Sequence, residues 1–358
     1  MKRVFVSDCE GPISKNDNAF ELAENFIPNG EKLFSIISKY DDVQADVLNR
    51  SGYCAGSTLK LILPFFKAYD LTDQQMEKFS AQNILLIADT QTTLRHVQSI
   101  ASSFIVSTSY EHYIRAVCKT VDFPYKNTYC TKISLDKCGI TPQEKELLRK
   151  IAQEITQMST IEIPPNAKGI RDFSDNDIAA IQRLDQIFWD IIPKMFVGKF
   201  LLDVVTIGGE QKAEAIRDVT RRLDMELSNV MYVGDSITDV EAFKLVCSSG
   251  GLGVSFNGNN YAIRNAKVAV LSESNLVTAV IADLFCKLGT KKTLETLSSW
   301  TIEALKGTVD EILIRKLTSQ NKAFPKVQIV TAENMESLIK ESTGFRKKVR
   351  GVAVGRLG

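Results

Sequence analysis

The chain has 358 residues, 44% of them hydrophobic and 24% charged, with 44 lysines and arginines against 43 acids. That length suggests two to three domains and a core large enough to stand without disulfides or metal staples. The formal net charge of +1 gives no global field that would draw in nucleic acid or a membrane surface. Seven cysteines, odd in number and without CxxC spacing, point away from a disulfide framework or a zinc knuckle and toward a reducing, cytoplasmic setting. The opening apolar stretch Val4-Phe5-Val6 is broken by Asp8, unlike a signal peptide, and the longest apolar runs, such as 61–66, are too short to cross a bilayer. Charge is nevertheless uneven, with 13 lysines and arginines against 7 acids from Gly289 onward.

Taken in chain order, residues 2–8 predict a short buried strand that runs into Asp8 and a turn at Gly11-Pro12. Residues 18–99 read as helical, with Phe20, Leu22, Ala23 and Phe26, then Leu33, Ile36 and Ile37, then Leu59, Ile62, Leu63 and Phe66 at helical spacing. Pro28-Asn29-Gly30 and Ser51-Gly52-Tyr53 mark loops within this insert. A second buried strand, 104–107, ends in hydroxyls, and a helix over 110–121 and a strand over 127–136 follow. Helices are expected over 142–158 and 175–192, with a loop between them. Gly208-Gly209 opens a helix over 210–223. A strand over 229–233 then runs into Gly234-Asp235, followed by a helix over 240–246 and strands over 252–256 and 268–271. The tail reads as helical from 275 to about 317, then as a strand over 327–331, a helix over 332–341 and a strand-like run over 349–354. Strands alternating with helices predict an α/β fold, a Rossmann-like doubly wound parallel sheet.

Polar groups at four element ends stand out: Asp8 with Glu10, Ser107, Lys212, and Asp235 with Asp239. In an open α/β sheet the site lies beyond the carboxyl ends of the strands, where these groups can meet. The set suits phosphoryl transfer. A carboxylate attacks phosphorus, a hydroxyl and a lysine hold the phosphoryl oxygens, and further carboxylates hold Mg²⁺.

In order, Asp8-Cys9-Glu10-Gly11, Ser107 at a strand end, Lys212 opening a helix and Gly234-Asp235-Ser236-Ile237-Thr238-Asp239 resemble the four motifs of the haloacid dehalogenase superfamily. That resemblance implies a Mg²⁺-dependent phosphomonoester hydrolase acting on a small phosphorylated metabolite through an aspartyl phosphate. Asp8 would be the nucleophile and a metal ligand. Glu10 would be the general acid/base and a ligand through its backbone carbonyl. Asp235 would be a further ligand, and Asp239 would complete the metal site or stand behind it. Ser107 and Lys212 would bind the phosphoryl group. Glu10 departs from the family's usual aspartate; members without an acid there are often phosphotransferases. A helical insert between the first two motifs is where phosphoserine-phosphatase-like members carry a helical cap. The implied division is a catalytic core of 1–14, 100–135 and 200–288, a helical cap of 15–99, a second, mainly helical insert of 136–199, and a small basic α+β extension of 289–358. Residues 7–14 further resemble archaeal proteins of the group named energy-converting hydrogenase A subunit R, which implies the alternative of an interaction subunit of a hydrogenase-type complex.

Each residue also has a plainer explanation. Asp8 alone reads equally well as a turn or cap aspartate, and Asp239 as a cap of the helix after it. Thr108 and Ser109 adjoin Ser107, so one of the three hydroxyls is expected at the phosphate, and Thr108 is a candidate beside Ser107. Lys168 and Lys199 compete with Lys212. Cys9 is expected in the core. His96 and His112 are expected on helix surfaces. The loop Gly52 to Thr58 is either a specificity loop over the site or an ordinary connection. The basic run Arg346-Lys347-Lys348-Val349-Arg350 reads as a solvated surface or a dock for an acidic protein partner.

Overall fold

The computed structural model describes residues 2–319, 324–352 and 354–356. Among them, seven strands form one sheet: β1 (Val4–Ser7), β2 (Ser102–Tyr110), β3 (Thr128–Thr131), β4 (Val230–Gly234), β5 (Leu252–Phe256), β6 (Val268–Leu271) and β7 (Lys326–Ile329). Their order is β3-β2-β1-β4-β5-β6-β7. All neighbours are parallel except β7, which runs antiparallel along β6. The inner strands are near-continuous apolar runs because helices cover both faces. Side chains alternate between the two faces as a pleat requires. Phe5, Ile105, Met231 and Val233 pack under the helices Thr90–Ile100, Glu111–Val121 and Leu276–Ser298. Val4, Val6, Phe104, Val106, Val230 and Tyr232 pack under the helices Glu210–Leu223 and Val240–Ser248.

β1 is central, and the chain winds first toward β2 and β3, then back past β1 toward β4, β5 and β6. The strand order therefore reverses between β1 and β4, which opens a crevice at their carboxyl ends. Pairing of Ser7 with Val233, continued by the Asp8 N–H donating to the Val233 carbonyl at 2.8 Å, sets Asp8 level with the turn after β4. On the other flank Ser7 pairs with Ile105, so Ser107 lies two residues beyond.

Above this edge stands a helical layer. The helices Asn18–Phe26, Gly30–Asp42, Thr58–Leu61 and Leu63–Ala68 share one apolar cluster with the helices Pro142–Gln157 and Asp175–Asp185 and the turns after them. Phe188 ties the two groups together. It stacks on Tyr40 at 5.7 Å between ring centres and meets Phe65 edge-on at 6.3 Å.

Several expectations differ from the structure. The strand expected over 127–136 stops at Thr131. Asp73 draws the following residues out of the sheet by accepting from the Ser134 hydroxyl at 2.6 Å and the Leu135 N–H at 2.7 Å. β2 continues through Tyr110, with a shift in its pairing to β3 between Val106 and Tyr110. A short helix, Asn260–Asn265, capped by the Asn259 side chain, has no counterpart in the sequence reading. The run over 349–354 is not a strand. Val349 and Arg350 finish a helix that spans Met335–Arg350 and ends at Gly351, whose φ of 87° a β-carbon would oppose. A 3₁₀ turn, Val354–Arg356, follows, and Ala353 lies outside the described residues. No described helix is long and apolar enough to cross a membrane.

Phe188→Ala removes the ring that joins the two helical groups, so it is expected to cost about 3–5 kcal/mol. Limited proteolysis should then accelerate in segments 18–82 and 142–203 together; cutting confined to one of them contradicts a shared core.

Candidate active site

At the reversal point, one carboxylate oxygen from each of Asp8, Asp235 and Asp239 lies within 4.8 Å of the others, and all three residues are buried. Like charges this close, and away from water, raise one another's pKa. The Asp8 carboxyl is pushed up to about 7, chiefly by burial, against the pull of Lys212 and with Asp239 and Asp235 adding to the rise. Lys212 is fully buried, and its Nζ bridges Asp8 and Asp239 at 2.7 Å each. Burial pulls its proton affinity down, but the two carboxylates outweigh that and hold the ammonium charged.

The backbone explains why these side chains converge. Lys212 sits in the first turn of its helix, where the macrodipole disfavours a cation, so the two carboxylates must outweigh it. The Gly209 N–H donates to the Thr238 carbonyl at 2.9 Å, which ties the turn before that helix to the turn after β4. Gly11 has a φ of 103°, and a β-carbon there would collide with the Asp235 carboxylate. Gly234 likewise leaves room for Asp239, whose carboxylate carbon would lie 2.5 Å from a β-carbon at that position.

The structure brings most of the expected residues to one cavity of about 100 Å³, lined by Asp8, Glu10, Ser107, Thr108 and Asp235 among others. Ser107 is buried and donates to the Ser109 hydroxyl at 3.1 Å. Thr108 spends its hydroxyl proton on the Ile207 carbonyl at 3.0 Å. Both line the cavity because the irregular pairing of β2 re-aims consecutive side chains. Glu10 accepts from the Asn18 N–H at 2.7 Å. Burial, with Asp17 beside it, holds the Glu10 carboxyl well above the usual range, against the Asn18 N–H, Arg350 and Ser109.

Asp239 does not cap the helix that follows it. Its oxygens accept from Lys212, from the Tyr232 hydroxyl at 2.6 Å, and from the Asp235 and Ser236 N–H groups at 2.8 and 2.9 Å. Despite its burial, the charge of Lys212 and these hydrogen bonds hold Asp239 below the ordinary carboxylate value. It is a brace for Lys212 and for the turn that presents Asp235. Lys168 and Lys199, the rivals of Lys212, are exposed and away from this cavity. Cys9 is fully buried in the apolar layer. His112 is not on a surface: it is buried 3.6 Å from Asp73, and His96 is largely buried 3.6 Å from Asp283.

The loop over 52–58 reaches the site. Gly56 packs over Thr108 and Thr238, and Ala55 packs against Gly208. Asp41 holds the loop down by accepting from the Gly56 N–H at 3.0 Å and from the Thr58 N–H and hydroxyl at 3.0 and 2.8 Å.

Sequence reasoning missed the cations opposite Asp235. Arg346 and Arg350 of the C-terminal helix both contact its carboxylate, Arg350 at 3.1 Å, and neither side chain is more than 5% exposed. The expectation of a solvated basic run fails at these two positions, while Lys348 faces outward and pairs with Glu273 at 2.7 Å. Their spacing of four would have found them, had the helix been carried beyond 341.

Comparisons with known proteins bear on the same residues. The family of haloacid dehalogenase-like hydrolases matches residues 56–283, a span that includes Ser107, Lys212, Asp235 and Asp239 and begins after Asp8 and Glu10. No curated protein matches the sequence significantly. The structure resembles gene product AF1437 from Archaeoglobus fulgidus, with a TM-score of 0.79 and 24% identity, over 100% of this chain and 99% of that one. A substrate-bound phosphoserine phosphatase complex is a more distant likeness, with a TM-score of 0.46 and 12% identity, over 76% of this chain and 95% of that one.

Two outcomes follow from this geometry. Gly11→Ala is expected to push Asp235 aside and to destabilise the fold by about 1–3 kcal/mol, read by thermal melting, because both the collision and the positive φ oppose the side chain. The raised Asp8 pKa favours the protonated form in the folded state. Its contribution to stability is therefore present below pH 3.8 and lost as pH rises through about 7. In EDTA, the melting temperature of Asp8→Asn should fall less between pH 4 and 7 than that of the parent chain.

Proposed function

This chain belongs to the haloacid dehalogenase-like hydrolases, and we propose that it is a Mg²⁺-dependent phosphohydrolase that cleaves a small phosphorylated metabolite through an aspartyl phosphate on Asp8. The observation that carries this reading is Asp8 itself: a buried carboxylate at the sheet's reversal point, held at 2.7 Å by Lys212 and clustered with Asp235. An all-oxygen acidic set of this kind fits a hard divalent cation. Asp8 and Asp235 would hold it, joined by the Glu10 carbonyl, with Asp239 in support. When bound, Mg²⁺ supplies positive charge to the phosphoryl oxygens and lowers the pKa of the acids around it.

The chain's own groups account for the remaining steps. Ser107 and Lys212 hold the phosphoryl group in line with Asp8. A carboxylate oxygen of Asp8 attacks phosphorus, and the bond from phosphorus to the ester oxygen breaks. Glu10, whose carboxyl burial and the neighbouring Asp17 push well above the usual range, gives its proton to the departing oxygen. Glu10, now a carboxylate, takes a proton from water as the water oxygen attacks phosphorus. The bond to Asp8 breaks, releasing phosphate and restoring both acids. The loop over 52–58 shields the site from bulk water.

The test is phosphate release from a phosphometabolite panel with Mg²⁺. Asp8→Asn is expected to abolish it, and Glu10→Gln to slow it by about 10²–10⁴-fold. A Glu10→Gln variant as fast as the parent removes the acid/base role. Transfer to an alcohol acceptor outrunning hydrolysis identifies a phosphotransferase. A second reading, an interaction subunit without turnover, is favoured by the two arginines that neutralise Asp235. Co-purification in a stable complex, with no phosphate released under any condition, supports it over hydrolysis.

A further inference from the structure

The buried stripe of the C-terminal helix steps by four: Leu338, Ser342, Arg346 and Arg350. Its first half is anchored by apolar contact, with Leu338 seated against Ile263 and Ala269. Its second half is anchored largely by polar groups. The Ser342 hydroxyl donates to the Gly258 carbonyl at 2.6 Å. Arg346 Nη1 contacts the Asp235 carboxylate and lies 3.3 Å from the Asp235 carbonyl. Arg350 donates to the Asp235 carboxylate at 3.1 Å, to the Lys15 carbonyl at 3.0 Å and to the Asn16 carbonyl. Val349 adds a partly buried apolar contact. Gly344, between Ser342 and Arg346, weakens the helix where these polar contacts hold it.

We propose that the second half of this helix is a plug that a divalent cation displaces. The Arg346 guanidinium takes up the Asp235 charge that the cation needs, so seating of residues 342–350 and metal binding at Asp8 and Asp235 oppose each other. The inference rests on the metal-dependent reading above and assigns its regulation. Two guanidinium groups and a dication on one buried carboxylate repel at short range with little water to screen them. The coupling is reciprocal: what loosens the helix tightens the metal, and the metal loosens the helix. The size of the cavity agrees. At about 100 Å³ with both arginines in its wall, it falls well short of the roughly 300–1,000 Å³ of ordinary ligand pockets. Withdrawal of the helix end removes two side chains from that wall and opens the site to a metabolite.

The experiment is calorimetric titration of the full-length parent, Arg346→Met and Arg350→Met with Mn²⁺ and Mg²⁺, alongside hydrogen exchange of the parent with and without Mg²⁺. Arg346→Met is expected to bind either ion about tenfold tighter. In the parent, Mg²⁺ is expected to speed exchange in 342–350 and leave 335–341 unchanged. Asp235→Asn should lose the metal in every background. Equal metal affinity in parent and variant, with exchange in 342–350 indifferent to Mg²⁺, overturns the plug and leaves the phosphohydrolase reading intact. A raised KM for a phosphomonoester with unchanged metal affinity also overturns it, by making Arg346 a substrate anchor. Metal binding to none of these proteins overturns the phosphohydrolase reading, and the plug with it.

Discussion

Three carboxylates buried within 4.8 Å of one another are an unstable arrangement unless something opposes their charge, and much of this protein is organised around meeting that demand. Lys212 compensates Asp8 and Asp239 directly, from a helix end whose dipole works against it. Arg346 and Arg350 compensate Asp235 from a helix more than a hundred residues further along the chain. Tyr232 and the N–H groups of Asp235 and Ser236 satisfy what remains of Asp239. With these donors in place Asp239 is held ionised, whereas Asp8 is left close to neutrality in its proton affinity. Two chemically identical side chains thereby acquire different characters from their surroundings alone.

The same demand fixes local backbone choices. Asp235 can approach Asp8 because residue 11 has no β-carbon, and Asp239 can fold under its own turn because residue 234 has none. The tether from Asp41 to Gly56 and Thr58 belongs to the helical layer, yet it positions the loop that covers Thr108 and Thr238 of the core. The layer therefore supplies part of the wall of the site, through Phe34, Ser38, Asp41 and Leu59.

What the sequence disclosed follows from how local each signal is. The helix Glu210–Leu223 was readable to the residue, since a glycine pair precedes it and its apolar stripe is unbroken. The central strands were readable because parallel strands covered on both faces are continuous apolar runs. The four motifs were readable as polar residues placed where a strand ends or a helix opens. Other features depended on distant partners. The truncation of β3 is caused by Asp73, some sixty residues earlier in the chain. His112 is buried 3.6 Å from the same residue. Arg346 and Arg350 belong to a run that composition alone assigns to a surface, and their true environment is set by Asp235, over a hundred residues away. Read as a strand, 349–354 hid the four-residue stripe that places both arginines on one face.

β1 lies at the middle of the sheet, and its two neighbours are about 95 and 225 residues further along the chain. The last contact on the same site, from Arg350 to the carbonyls of Lys15 and Asn16, joins positions more than 330 residues apart. During synthesis, then, the acidic cluster cannot form until β4 has emerged, and it stays without its arginines until the helix Met335–Arg350 has emerged as well. At about 5–20 residues per second, that interval is on the order of ten seconds, during which the nascent chain presents an open, strongly acidic crevice to the ions around the ribosome.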